Sequence, residues 1–231
     1  MSKSEAMSFN TKPDLDYIGP LGKRIKLTNT MKILGLIFDN RLSWEAQVNQ
    51  AVNKAKRILS GLKAIRGFLT DVEFKRVLTS HFYPVLLYAS EVWFPCSGYK
   101  SRARVTSVHY CALRVMVHDR FNNISRYKLN TMAERATPSE WASFATAKLG
   151  VRVIQASQPL RLALSLTTNS YEKNRSPGRL FFFSDSRKRI GDQSLRNRLG
   201  PVMNDLCFPW INSSPDALRI NLKKHFFAYF K

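Results

Sequence analysis

The sequence predicts a mainly α-helical protein that opens with a small antiparallel β piece, and three observations carry that expectation. Apolar residues recur at steps of three and four from Val48 to Leu69, the period of one helix face. Two Thr-x-x-Glu boxes, Thr70 to Glu73 and Thr137 to Glu140, mark helix starts further along. Before Asp39, by contrast, apolar runs are short and broken by Pro, Gly, Asn and Asp, the pattern of strands and turns.

In that first part Ala6 to Phe9 is a candidate strand, T-K-P-D-L-D and I-G-P-L-G are turns, and Ile25 to Leu27 and Met31 to Phe38 are further strand candidates. Leu34, Leu36 and Phe38 alternate with Ile33, Gly35 and Ile37, so a single strand there would be apolar on both faces and need cover on both. Gly35 would suit close approach by another backbone or a ligand. A β piece of two or three strands is too small to stand alone.

After Asn40 the period changes. Ser43 is the expected N-cap, and Glu45 falls in the first turn, at the positive end of the helix dipole. The helix should run about 24 residues, or roughly 36 Å. The helix that starts at the Thr70 box runs into H-F-Y-P-V-L-L-Y, where Pro84, lacking an N–H, must kink it or open a new first turn. Further helices are expected from Ser101 to about Val117, from Pro138 onward, from Leu160 to Leu166, and from Pro215 to Lys231. The last would carry Leu218, Leu222, Phe226, Phe227 and Phe230 on one side. The expected segments are 1–42 with the strands, 43–125 helical, and 126–231, basic and helical with an irregular stretch over about 171–214.

Charge narrows the function. Lys and Arg number 37 against 16 Asp and Glu, a formal charge of +21, and the pI is near 10.3. Spread along the chain rather than gathered on one amphipathic helix, this excess points to a polyanion such as nucleic acid over a membrane surface. Cys96, Cys111 and Cys207 are too few and too far apart for a disulfide framework or a paired-cysteine zinc site. The first residues lack the apolar core of a signal peptide, and no run approaches about 18 apolar residues. An intracellular protein without a membrane partner is expected.

No complete catalytic site is visible. Two-metal nucleotidyl transfer needs carboxylates converging on ions about 4 Å apart. Asp14 and Asp16 are close in sequence, but a solvated turn after Pro13 is their plainer reading. His81, His109, His118 and His225 are far apart and outside any metal-binding frame, so structural or surface roles are expected. G-P-L-G-K-R lacks the preceding strand of a phosphate loop.

Cations, by contrast, are grouped. Lys54, Lys56, Arg57, Lys63 and Arg66 fall largely off the apolar stripe of the long helix. With phosphates about 3.4 Å apart in rise along one strand, such a helix could follow roughly ten nucleotides. For one helix taken alone a solvated face is the plainer reading. Lys100, Arg102 and Arg104, with Arg114, form a second group, and Arg187, Lys188 and Arg189, with Arg175, Arg179, Arg196 and Arg198, a third. That repetition favours polyanion contact. Phe181-Phe182-Phe183 could stack on bases, although a buried strand is the commoner use of three adjacent aromatics.

The order of short motifs adds a resemblance. Lys3-Ser4-Glu5-Ala6-Met7-Ser8-Phe9 resembles the K-T-E-x-x-x-F segment of non-LTR, LINE-type retrotransposon reverse transcriptases. Leu34-Gly35-Leu36-Ile37-Phe38-Asp39, followed by Leu42-Ser43-Trp44, is similar to that family's L-G-x-x-x-D-x-x-L-x-W. Asn53-Lys54-Ala55 and Leu59 to Leu62 resemble its thumb helix, and Pro84 to Trp93 resembles its P-x-L-x-Y-G-x-x-x-W with Ala89 in place of the usual glycine. Cys111-Ala112-Leu113-Arg114 is similar to its C-L-R. Met203-Asn204-Asp205-Leu206-Cys207 is similar to its W-N-x-L-P, with Met203 for tryptophan and Cys207 for proline. Asn221 to Phe226 resembles its F-K-x-x-L helix, with Leu222 for phenylalanine. Each motif is weak, but their order covers nearly the whole chain.

The resemblance implies the end of a palm over 1–42, a thumb over 43–125 and a post-thumb region over 126–231. It implies that the Met31 to Asp39 hairpin seats a primer end, with Leu34, Gly35, Asp39 and Trp44 as primer-grip-like residues, and that the helix after Ser43 tracks the duplex. Lys3 would match a lysine near the incoming nucleotide. The family's F/Y-A-D-D would fall ahead of Lys3, so the expectation is a carboxyl-terminal fragment of an RNA-directed DNA polymerase that holds template and primer but is not itself an enzyme. It would have no catalytic or metal-ligating residue and no cofactor of its own, Mg²⁺ belonging to the complete polymerase. The partners implied are RNA and DNA and the palm and fingers, in a ribonucleoprotein of the nucleus and cytoplasm. The alternative is a stand-alone basic helical module that binds RNA or serves as a structural interaction protein.

Overall fold

A computed structural model describes residues 5–9, 17–18, 24–25, 27–155 and 214–227, and these form a mainly helical protein with small antiparallel β pairs near the N-terminus. Strands β1 (Tyr17–Ile18) and β2 (Arg24–Ile25) pair antiparallel, as do β3 (Thr30–Ile33) and β4 (Leu36–Asp39). The stretch Ala6 to Phe9 contributes one parallel bridge, Ala6 to Leu27, rather than a strand.

Met31 to Phe38 is a hairpin and not the single two-faced strand its alternation suggested. Ile33 faces Leu36 in the register, which leaves Leu34 and Gly35 as a two-residue turn. Their φ values are 48° and 87°. Two positive φ angles in succession give the mirror-image turn whose twist matches that of paired strands.

Helix α1 (Glu45–Ile65, 21 residues) buries Val48, Ala51, Val52, Ala55, Leu59 and Leu62 of the stripe expected from the sequence, but it ends before Leu69 and leaves Ile65 exposed. Arg66–Phe68 forms a single 3₁₀ turn after it. The Thr70 box then starts α2 (Asp71–Val77): the Thr70 N–H donates to Glu73 Oε2 at 2.8 Å, and the Glu73 N–H to Thr70 Oγ1 at 3.3 Å. Leu78–Phe82 is a π-helical turn, in which the Tyr83 N–H reaches back to the Leu78 carbonyl. Helix α3 (Tyr83–Leu86) follows with Pro84 in its first turn. Pro84 therefore neither breaks nor ends the rod. The widened turn ahead of it absorbs the hydrogen bond that proline cannot make.

Helix α4 (Ser90–Trp93) is short, and α5 (Tyr99–Met116) is the second long helix. Ser125 caps α6 (Arg126–Ala133), its Oγ accepting the Lys128 N–H at 3.4 Å. The Thr137 box starts α7 (Pro138–Gln155), with the Thr137 N–H to Glu140 Oε2 distance at 2.7 Å. Ser214 caps α8 (Pro215–Phe226). Helix α8 stops at Phe226 rather than running to Lys231, because Phe227 turns to extended backbone and is buried. The expected helix at 160–166, the irregular stretch at 171–214 and the Phe181 to Phe183 run lie outside the described residues.

The chain divides into two compact units. The first is Met1–Ala89 with Cys96–His118, and the second is Ser90–Pro95 with Asp119–Lys231. The hairpin thus belongs with the long helices, because β4 packs directly on α1. In the first unit α1 also packs on α5, on α3 and on the π turn, around Val48, Val52, Phe74, Leu78, Phe82, Leu86, Val105 and Leu113. In the second unit α7 packs on α4 and α8. There Phe227 stacks on Trp141, centroids 5.9 Å apart and planes 2° from parallel, and meets Phe144 at 5.1 Å.

Candidate nucleic-acid interface

The joint between hairpin and α1 is held by one carboxylate. Asp39 Oδ1 accepts the N–H groups of Arg41 at 3.1 Å and Ser43 at 2.9 Å, while Oδ2 accepts that of Trp44 at 2.8 Å. Ser43 therefore is not the N-cap. That position falls to Trp44, at φ 63°, whose side chain makes no cap bond. Trp44 is buried and meets Phe38 with ring centroids 5.0 Å apart. From the first turn of α1, Gln47 Oε1 accepts the Ile37 N–H at 3.0 Å. Of the four primer-grip-like residues, Asp39 and Trp44 are thus committed to building the joint, since their polar atoms and ring are already engaged. Leu34 and Gly35 form the exposed tip, with Leu34 88% exposed. The Tyr88 hydroxyl donates to the Leu34 carbonyl at 3.0 Å and steadies that tip.

Helices α1 and α5 lie side by side and run in the same direction. Arg104, early in α5, donates to Oδ1 of Asn49, early in α1. Arg66, just past the end of α1, donates to the carbonyls of Val115 and Met116 at the end of α5. At roughly 100° per residue, Asn49, Lys56 and Lys63 share one flank of α1, seven residues apart each. Lys100 and Arg104 share one flank of α5, four residues apart. The Asn49–Arg104 bond brings the two flanks to one edge of the seam. Lys56, Lys63, Lys100 and Arg104 are all exposed there. Among the described residues none of the three lysines is paired with a carboxylate. From Lys100 to Lys63 the row extends about 27 Å, close to eight phosphate steps.

The remaining expected contacts are placed otherwise. Lys54 and Arg57 are exposed on α1 but lie about 180° and 120° around the axis from Lys63, so one flat backbone cannot meet all of them. Arg102 is exposed but about 160° around α5 from both Lys100 and Arg104. Arg66 is corrected outright. It is 7% exposed, its Nη1 donates to the Leu69 carbonyl at 2.7 Å and its Nη2 to that of Met116 at 2.7 Å. Its Nε reaches the Val115 carbonyl at 3.2 Å, Nη2 also pairs with Asp71, and the guanidinium lies 4.8 Å from the Phe74 ring centre. With its donors so engaged, it is a structural pin and not a phosphate contact. Arg187, Lys188 and Arg189 lie outside the described residues.

Sequence reading missed Asn49 and Tyr88, whose partners are more than 50 residues distant. It also passed over Arg120, Phe121, Arg126, Tyr127 and Lys128, all exposed, where cations and rings alternating between polar residues were a signal in plain sight. Among the described residues no group of three His, Cys, Asp or Glu side chains is placed to hold a metal ion. Nor, among them, is any helix long and apolar enough to cross a membrane.

Fold and surface together define a mainly helical protein that presents a cationic two-helix face. Comparison with known protein families, curated proteins and solved structures finds no match.

Proposed function

We propose that the α1–α5 face binds a nucleic-acid duplex, the role of a thumb holding template and primer in a retrotransposon reverse transcriptase. One observation carries the reading: two parallel helices set Lys56, Lys63, Lys100 and Arg104 along a single edge, with Arg104 positioned by Asn49. A row of solvated cations spaced over several phosphate steps releases counterions when it meets a backbone, and that release drives binding without base readout. The resemblance of the motif order to LINE-type enzymes supports an RNA–DNA hybrid as the duplex. The motifs these 231 residues share with that family are those of its palm end and thumb, and duplex holding rather than primer extension is the contribution proposed for them.

A salt titration of a labelled RNA–DNA hybrid tests this. Four phosphate contacts predict a slope of log K against log salt near −3.6, and Lys56→Gln with Lys63→Gln should bring it to about −1.8. A flat titration, or a slope the double variant leaves unchanged, refutes the face. Primer extension by the chain with Mg²⁺ would refute the restriction to binding.

A further inference from the structure

The segment joining α5 to α6 carries a second surface, distinct in chemistry from the lysine row. Between His118 and Lys128 stand three cations, Arg120, Arg126 and Lys128, and one carboxylate, Asp119. That carboxylate binds backbone: its Oδ1 accepts the Asn123 N–H at 3.0 Å and its Oδ2 the Ile124 N–H at 3.2 Å, among its contacts. The bonds fold 119–124 into a turn, with Asn122 at φ 57°. Phe121 sits on that turn and is 82% exposed.

Helix α6 adds the second ring. Leu129 and Ala133 bury one of its faces, which leaves Tyr127 and Lys128 on the outward side. Tyr127 is also 82% exposed. The two rings are separated by Asn122, Asn123, Ile124, Ser125 and Arg126, of which all but Ile124 are exposed. An apolar protein partner would favour a contiguous apolar patch. Isolated flat rings set among guanidinium and ammonium groups instead match a ligand that alternates π-faces with negative charge.

We propose that Phe121 and Tyr127 are stacking platforms for unpaired nucleotides, with Arg120, Arg126 and Lys128 holding the intervening phosphates, so that this turn is a single-stranded nucleic-acid site. It is independent of the duplex face, because the residues, the unit of the fold and the strand state of the ligand all differ.

The test uses the full chain, a short labelled oligouridylate and the RNA–DNA hybrid. Phe121→Ala and Tyr127→Ala should each weaken oligouridylate binding about 5- to 150-fold, and Tyr127→Trp should retain it. Neither alanine variant should alter hybrid affinity or the urea midpoint, since both rings are exposed. Lys128→Gln should shift the oligouridylate salt slope by about 0.7, whereas the alanine variants leave it unchanged. Undiminished oligouridylate binding in both alanine variants overturns the proposal, as does a chain that binds no oligouridylate at low salt. If those variants instead abolish a self-assembled or protein-bound species, the rings belong to a protein contact and the proposal fails. Loss of hybrid binding in the Lys56 and Lys63 variants reads the duplex face alone, so either proposal can fail without the other.

Discussion

Replacing Arg66 with methionine keeps an unbranched apolar stem and removes the guanidinium that ties three carbonyls together. Val115, Leu69 and Met116 would each lose a donor. At about 1 kcal/mol or more for each acceptor left unsatisfied, these losses come to about 3 kcal/mol. The stacking on Phe74 adds about 0.5–2 kcal/mol. Asp71 is 76% exposed, so its ion pair contributes less than about 1 kcal/mol. Arg66→Met should therefore lower the unfolding free energy by about 3–5 kcal/mol in urea. Arg66→Lys should lose about half as much, because an ammonium cannot reproduce the planar fork. A loss under about 1 kcal/mol for the methionine variant would refute the pin. So would a folded methionine variant whose hybrid salt slope falls by about 0.9, which would put Arg66 on a phosphate.

Leu34 adopts a positive φ at a hairpin tip while 88% exposed, so Leu34→Asn should gain up to about 1 kcal/mol in urea unfolding, with no loss of burial; a destabilised variant would mean that the side chain has a partner. Phe227→Ala should cost about 3–5 kcal/mol by opening a cavity beside Trp141 and Phe144, and should shift tryptophan emission to the red. An unmoved midpoint would detach Phe227 from that core. The Thr70 backbone N–H, then the Thr70 hydroxyl, hold the Glu73 carboxyl below the ordinary carboxylate value. A depressed folded pKa stabilises above the unfolded value and is lost as pH falls through the folded one. Urea midpoints taken from about pH 6 down to about pH 3 should accordingly fall less steeply for Glu73→Gln than for the unmodified chain; parallel curves would refute the assignment.

Local chemistry was legible in the sequence and distant chemistry was not. The stripe of α1 and both Thr-Glu boxes depend on residues within a few positions of each other, and they form as read. The resemblance implied a hairpin over Met31 to Asp39, but residue alternation alone read a strand, because Leu34 stands where asparagine usually announces such a turn. Ser43 looked like a cap, and its Oγ does accept the Glu45 N–H at 3.4 Å. Asp39, however, reaches across the loop to hold the Ser43 and Trp44 N–H groups, and the helix starts one residue later, with Trp44 in the cap position. Arg66 looked like one more surface cation because its carbonyl partners at Val115 and Met116 lie 49 and 50 residues on. Helix α6 was missed because its outward face carries an aromatic ring, which blurs the periodicity that Leu129 and Ala133 would otherwise show.

The π turn at Leu78–Phe82 acts as a phase correction. Phe74, Leu78, Phe82 and Leu86 stand four apart, and all are 0% exposed. In an unbroken α-helix each step of four overshoots a full rotation by about 40°, so over three steps the row would wind about 120° around the rod. The one extra residue accommodated by the wide turn sets that back by about 100°, leaving Leu86 within roughly 20° of Phe74. A ruler marked in fours is thereby made to fit a screw cut at 3.6. Deleting one exposed residue from that turn would restore regular geometry and leave Leu86 facing the core, since eleven regular steps from Phe74 also end within about 20° of it.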